Sequence, residues 1–198
     1  MQNALFKLLP ALLVLALAAC GSSSPVRYFT LQPIDTEFQQ DTENAVMLGL
    51  GPLRMPEYLN RSQLVLRGDS SEILVDEFHR WSEPLNKSIL RIVAADVDNL
   101  LEDVVVVEFP FDSHVRNQVE YRLLGDVSRF DADSTGRIVL DVQWGITSIK
   151  GDSVVSVRRY RYQAQAADPA DPGAVVVAMN DALAQFSRDI AGRLEAAL

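Results

Sequence analysis

Cysteine occurs once in this sequence and histidine twice, and both scarcities narrow what the chain can do. A single thiol closes no intramolecular disulfide, so stability has to come from an ordinary packed core. His79 and His114 stand apart, outside any H-E-x-x-H or H-x-x-E-H arrangement and with no cysteine to share a metal, so no zinc-ligand set is readable. The chain has no G-x-S-x-G nucleophile turn and no G-x-x-x-x-G-K-[ST] phosphate loop. Asp131, Asp133 and Ser134 share only part of a calcium-loop pattern; the closing bidentate glutamate is missing, and a solvated hairpin tip accounts for them. No cofactor is expected. Carboxylates are plentiful, which leaves a paired-acid hydrolase open. Positive charge is in deficit: the net charge of −9 opposes nucleic acid as a partner and gives no electrostatic pull toward anionic lipid. Long apolar runs are also missing, since Leu8–Ala18 falls well short of the about 20 residues that a membrane-spanning helix needs.

What surrounds that short run is informative. Lys7 precedes it, L-A-A-C closes it at Leu17–Cys20, and Gly21, Ser22, Ser23 and Ser24 follow. The layout is that of an export signal, and its end looks like a bacterial lipobox, in which the cysteine thiol takes a diacylglyceryl group and cleavage leaves an acylated amino terminus. A buried or incidental thiol is the alternative for a free cysteine, but the position of Cys20 at the end of an apolar leader favours lipidation. The expected organisation is therefore a lipoprotein signal peptide over 1–19, an acylated tether over 20–25 and one domain over 26–198. Ser22–Pro25 reach only about 13 Å when extended, so acyl chains hold the domain close to its leaflet. Glycine rather than aspartate after Cys20 points to the outer membrane, on its periplasmic face.

Periodicity assigns the elements of the domain. Strands are expected over Arg27–Leu31, Ala45–Leu50 and Gln63–Arg67, the last returning through Gly68–Ser71 as a hairpin with Glu72–Asp76. Ser82 is the expected N-cap of a helix with Pro84 in its first turn and Leu85, Ile89, Ile92, Val93, Val97, Leu100 and Leu101 on one face. The β-branched run Val104–Phe109 reads as a buried strand, parallel to a partner across the helical crossover.

A three-strand meander follows over Gln118–Ala166. Val119, Tyr121, Leu123 and Val127 alternate in its first strand, Ile138, Leu140, Val142, Trp144 and Ile146 in its second, and Val154, Tyr160 and Tyr162 in its third. Its turns fall at Asp133–Gly136 and Lys150–Asp152. Phe130 breaks the parity of Tyr121 and Leu123, which predicts a bulge near Gly125 or Arg129. Asp171 and Pro172 are the N-cap and first residue of a closing helix striped by Val175, Met179, Leu183, Phe186, Ile190 and Leu194. The fold class is α+β: a mixed, mostly antiparallel sheet with two amphipathic helices in one domain.

M-P-E-Y-L-N-R-S-Q-L-V-L-R (Met55–Arg67), E-F-H-R-W-S-E-P-L (Glu77–Leu85) and I-L-R-I-V (Ile89–Val93) resemble the ABC-type transport auxiliary lipoproteins, the family that includes the paraquat-inducible protein C subunits. The resemblance extends in element order over the mature chain, lipobox included. It implies two helices packed on one face of the sheet. It also implies a non-enzymatic periplasmic subunit working with a tube- or ring-forming MCE-type protein and an inner-membrane ABC transporter that moves lipid between membranes, with several copies in a ring.

Tyr58, Leu59, Arg61, Arg67, Trp81 and Glu83 are the candidate partner-binding residues, on the expectation that the prolines hold the aromatic and leucine side chains partly exposed as an anchor. Core packing for Tyr58, Leu59 and Trp81, and loop-pinning ion pairs for Arg61 and Arg67, are the competing reading. An outer-membrane assembly or scaffold lipoprotein and an envelope hydrolase remain as alternative functions.

Overall fold

A buried apolar stripe on a helix requires a matching apolar face opposite it, and the meander supplies one. The computed structural model describes residues 25–35, 45–69, 71–149 and 153–198. Cys20 with its lipobox, the 150–152 turn and the side chain of Val154 lie outside the described residues.

The elements run β1 (Arg27–Phe29), β2 (Val46–Arg54), β3 (Gln63–Arg67), β4 (Ile73–Trp81), α1 (Leu85–Leu100), β5 (Val104–Glu108), α2 (Ser113–Arg116), β6 (Tyr121–Asp133), β7 (Arg137–Ser148), β8 (Ser153–Gln165) and α3 (Pro172–Glu195). Among the described residues eight strands form one open, mixed sheet, and α1 and α3 pack on each other and on one of its faces, as the α+β reading expects. The long ladders, β6 with β7 and β7 with β8, are antiparallel; the shorter pairings of β1 with β4, β2 with β5, and β6 with both β2 and β3 are parallel. Among the described residues no helix is long and apolar enough to cross a membrane.

The central strand β6 shares one of its edges between two neighbours. Its first half pairs with β2 (Leu48↔Tyr121 to Arg54↔Asp126), and its last rungs pair with β3 (Leu66↔Ala132 and Arg67↔Asp133). The sheet therefore forks, with β2 and β5 on one branch and β3, β4 and β1 on the other. This explains where the helical crossover goes. β5 finds a parallel partner, but the partner is β2; the strand entering α1 is β4, which runs antiparallel to β3 and so opposite to β5.

The bulge falls within the predicted stretch. Val127 faces Val142 and Arg129 faces Asp141, so Ser128 is the extra residue. It moves the inward parity from Leu123 and Val127 to Phe130 and Ala132, all of them buried. Gly125 sits where β2 comes closest: a Cβ there would lie 2.9 Å from Leu53 and 3.1 Å from the Gln143 carbonyl.

The helix stripes are the expected ones. Leu85, Ile89, Ile92, Val93 and Val97 of α1 and Val175, Met179, Leu183, Phe186, Ile190 and Leu194 of α3 are buried. Phe186 meets the rings of Trp144 and Tyr162 at 5.7 and 5.5 Å. Asp171 caps α3, its carboxylate accepting from the N–H groups of Gly173 and Ala174. Ser82 does not cap α1, and this corrects the expected start. The strand runs on to Trp81, the Ser82 N–H is engaged by the Phe29 carbonyl, and the helix begins after Pro84 without a side-chain cap.

Two polar residues, Ser88 and Asp96, lie on the buried side of α1, and Asp96 is the charged one. Asp96 is 1% exposed and accepts from the Ile34 N–H (2.7 Å) and the Ser187 hydroxyl (2.7 Å), tying α1 to α3 and to the 31–35 segment. Burial raises its carboxyl above the usual range, and the two hydrogen bonds only partly oppose this. A carboxyl whose folded value is raised binds more protons folded than unfolded, so its contribution to stability falls as pH rises from about 3.9 through the folded value. Asparagine would keep an acceptor for Ile34 and a donor for Ser187 without the charge. Asp96→Asn is therefore expected to gain on the wild type between pH 4 and pH 7 in urea unfolding, and a stability difference independent of pH would contradict this.

Candidate functional site

The segment that links β2 to β3 turns tightly. The Leu59 N–H bonds the Pro56 carbonyl at 3.0 Å, Asn60 bonds Glu57 at 3.1 Å and Arg61 bonds Leu59 at 2.9 Å. This turn drives Leu59 into the core, where it is 1% exposed. Trp81 closes β4 beside it: its N–H bonds the Ser62 carbonyl at 2.6 Å and its indole is 4% exposed. The expectation of a partly exposed Leu59 and Trp81 is thus corrected. β4 extends beyond the predicted Asp76 to Trp81, and its parallel pairing with β1 (Phe29↔Trp81) turns the indole inward.

Tyr58 and Arg67 converge on a residue that sequence reading placed at a hairpin tip. The Asp131 side chain is fully buried, because the Ser128 bulge turns it to the sheet face opposite the helices. One of its oxygens accepts from Arg67 Nε (3.2 Å) and Arg129 Nε (2.7 Å); the other accepts from Arg67 Nη2 (2.8 Å) and the Tyr58 hydroxyl (3.4 Å). Arg67 Nη2 also lies 3.3 Å from the Tyr58 oxygen. Burial, then the Asp131 charge, raises the Tyr58 hydroxyl above its ordinary range, and the hydrogen bond to Asp131 holds Arg67 more firmly protonated.

The same face continues across the meander. Arg129 sits opposite Asp141, which Arg161 grips through two hydrogen bonds of 2.6 and 2.7 Å. That grip, foremost, holds the Asp141 carboxyl below its usual range. The acceptors of this row are occupied by fixed cations, so the arrangement fastens strands and leaves no poised base.

Arg61 and Glu83 belong to the outside. With Asn60, Ser62, Ser82 and Pro84 they rim a shallow cleft of about 270 Å³ whose wall includes the edge of Trp81. Arg61 is exposed and makes no ion pair among the described residues. Glu83 accepts from Arg91 of α1, and this hydrogen bond holds its carboxyl low. The six candidate residues thus divide into a buried pair (Leu59, Trp81), an ion-cluster pair (Tyr58, Arg67) and a rim pair (Arg61, Glu83).

His79 Nδ1 donates to the Asp76 carboxylate at 2.7 Å, and His114 sits in the exposed α2. Among the described residues no group of histidine, cysteine and carboxylate side chains could hold a metal ion. Asp133, unlike Asp131, does occupy the hairpin tip, bonding Thr135 and Arg137. Sequence reasoning missed Arg129 and the role of Asp131; the parity slip at Phe130 was the available signal.

The family model described as "ABC-type transport auxiliary lipoprotein component" matches residues 29–191. Solved structures that share the fold include two with similarity along most of the chain. One, a crystal structure of an uncharacterized protein, has 18% identity and a TM-score of 0.71, covering 86% of this chain and 99% of its own. The other, protein XCC0632 from Xanthomonas campestris, of the DUF330 family model, has 16% identity and a TM-score of 0.67, covering 84% and 93%. Among curated proteins none matches.

Removing one partner of a buried ion pair costs about 3–5 kcal/mol. Because the Arg67 and Arg129 side chains keep 25% and 22% of their exposure, Asp131→Ala is expected at the low end, about 3 kcal/mol. In an Arg67→Met background the same substitution should cost less, by about 0.5–3 kcal/mol. Additive losses in urea unfolding would show that the two residues act separately.

Proposed function

The chain belongs to the ABC-type transport auxiliary lipoprotein family, and from that premise we propose that it is a non-enzymatic lipoprotein subunit of an MCE-type lipid transport system. In this reading Cys20 anchors it to the periplasmic face of the outer membrane. There it docks a tube-forming MCE-type protein served by an inner-membrane ABC transporter, with several copies forming a ring around the tube. A tether of about 13 Å cannot carry the domain across the periplasm, so moving lipid between membranes requires docking onto something that spans.

The observation that carries the docking reading is the division of the central segment. Leu59, Trp81 and the Tyr58–Arg67–Asp131 cluster fix the turn from within, and this presents Arg61 and the Glu83 edge as a preorganised rim around the cleft. Preorganisation lowers the ordering cost of association. Arginine is also among the residues that most often dominate interface energetics. The occupied carboxylates of the inner cluster support a binding role over a hydrolytic one.

Two outcomes are expected. Cys20→Ser should lose labelling by a palmitate analogue and leave the membrane fraction; a labelled, membrane-bound variant would remove the anchor. Arg61→Glu should weaken capture of the MCE-type partner from native membranes by about tenfold, a loss of about 1.4 kcal/mol. Its unfolding free energy should stay within about 0.5 kcal/mol of the wild type, as for other exposed substitutions. Undiminished capture would place the interface elsewhere.

A further inference from the structure

The β1–β4 edge carries an apolar patch for which neither the core nor the rim has a use. β1 pairs in parallel with β4, Arg27 facing His79, Tyr28 facing Arg80 and Phe29 facing Trp81. Alternation along β1 and the end of β4 puts Phe29 and Trp81 on the inward side and Tyr28, Phe78 and Arg80 on the outward side, with Val26 directly ahead of β1. Burial agrees: Phe29 packs against the core and Trp81 is part of it, whereas Val26, Tyr28 and Phe78 are 40%, 65% and 45% exposed. An aliphatic and two aromatic side chains are therefore exposed at this edge of the sheet. A tyrosine tip and the flanking Arg80 give the patch the composition of a membrane–water interface, where amphipathic rings and snorkelling cations settle.

Chain connectivity says what covers it. Val26 stands six residues after Cys20, and six residues reach at most about 20 Å. The patch cannot move farther than that from the leaflet holding the acyl chains. Tethering also raises the effective concentration of the surface to about the millimolar range, so a weak apolar contact is enough to keep the two together. The net charge of −9 removes an electrostatic alternative, because it disfavours an anionic surface as the source of attraction.

We propose that Val26, Tyr28 and Phe78 form a lipid-contacting patch that seats the β1–β4 edge in the interfacial zone of the anchoring leaflet, fixing the orientation of the domain on the membrane. The inference rests on the acylated Cys20 of the preceding reading and adds to it a second, non-covalent contact. The occupant is the bilayer surface, and neither a protein segment nor a second copy is required.

The test uses the full acylated chain in phosphatidylcholine vesicles. Because the sulfur of acylated Cys20 is a thioether, a cysteine introduced elsewhere is the one thiol open to a nitroxide label. Labels at Tyr28→Cys and Phe78→Cys should be several-fold less accessible to a water-soluble nickel chelate, and more accessible to oxygen, than a label at Val177→Cys on the exposed side of α3, where Val177 is 61% exposed. Mass spectrometry of the amino-terminal peptide reports acylation in the same samples. Dry labels on an acylated chain support the contact. Labels at 28 and 78 as wet as the one at 177, on an acylated chain, overturn the contact and leave the anchor standing. An unmodified Cys20 overturns the anchor, and the contact with it.

Discussion

A carboxylate with no exposure to water has to be neutralised where it stands, and the architecture around Asp131 follows from that requirement. Two arginines and a tyrosine hydroxyl supply its four hydrogen bonds, and they come from three separate stretches of chain: the β2–β3 turn, the end of β3 and β6. The cluster therefore sets where β3 meets β6 and how the turn at Tyr58 lies over the sheet. It exists because one extra residue at Ser128 rotates the strand's parity. The same shift that sends Phe130 into the core sends Asp131 to the opposite face, so packing and electrostatics are satisfied together by a single irregularity.

Much of the fold was legible locally. The α1 and α3 stripes, the β3–β4 hairpin, the Asp171–Pro172 cap and the meander each depend on residues close in sequence, and a period of two or of 3.6 reports them directly. The bulge was legible for the same reason, as a parity slip at Phe130. The site was read less well, because its partners are remote: Arg67 and Asp131 are 64 positions apart, and no short-range pattern pairs them. Trp81 and Leu59 were ambiguous in kind, since an aromatic beside a proline suits an exposed anchor and a core equally. What decided was the continuation of β4 through Glu77–Trp81, a segment whose charges and histidine hid its strand character but whose pairing with β1 fixed which side chains point inward. Asp96 was hidden for a similar reason. A charged residue on a helix is read as solvent-facing unless its acceptors are known to be filled from another element.

The two sheet faces carry different kinds of work. Under α1 and α3 the packing is apolar and aromatic, with the rings of Trp144 and Tyr162 both against Phe186. On the other face a line of alternating charge runs from Arg67 through Asp131, Arg129 and Asp141 to Arg161, crossing four strands. Along that line paired charges take the place of an apolar layer, with the β2–β3 turn lying over Asp131.

The fork at β6 has a mechanical meaning. The branch made of β1, β4 and β3 begins where the chain emerges from residues 20–25 and also bears the rim at Arg61, yet its ladder to the rest of the sheet is only the two rungs Leu66↔Ala132 and Arg67↔Asp133. Any pull exerted through the amino-terminal end thus enters a narrow wing and reaches the body through those rungs, the Asp131 cluster, the packing of Leu59, Leu64 and Trp81, and the 31–35 segment that Asp96 and Asn180 hold to the helices. Stress would fall on these connections before it reached the broad β6–β7–β8 ladders. The arginine–aspartate cluster sits where a rivet would be placed.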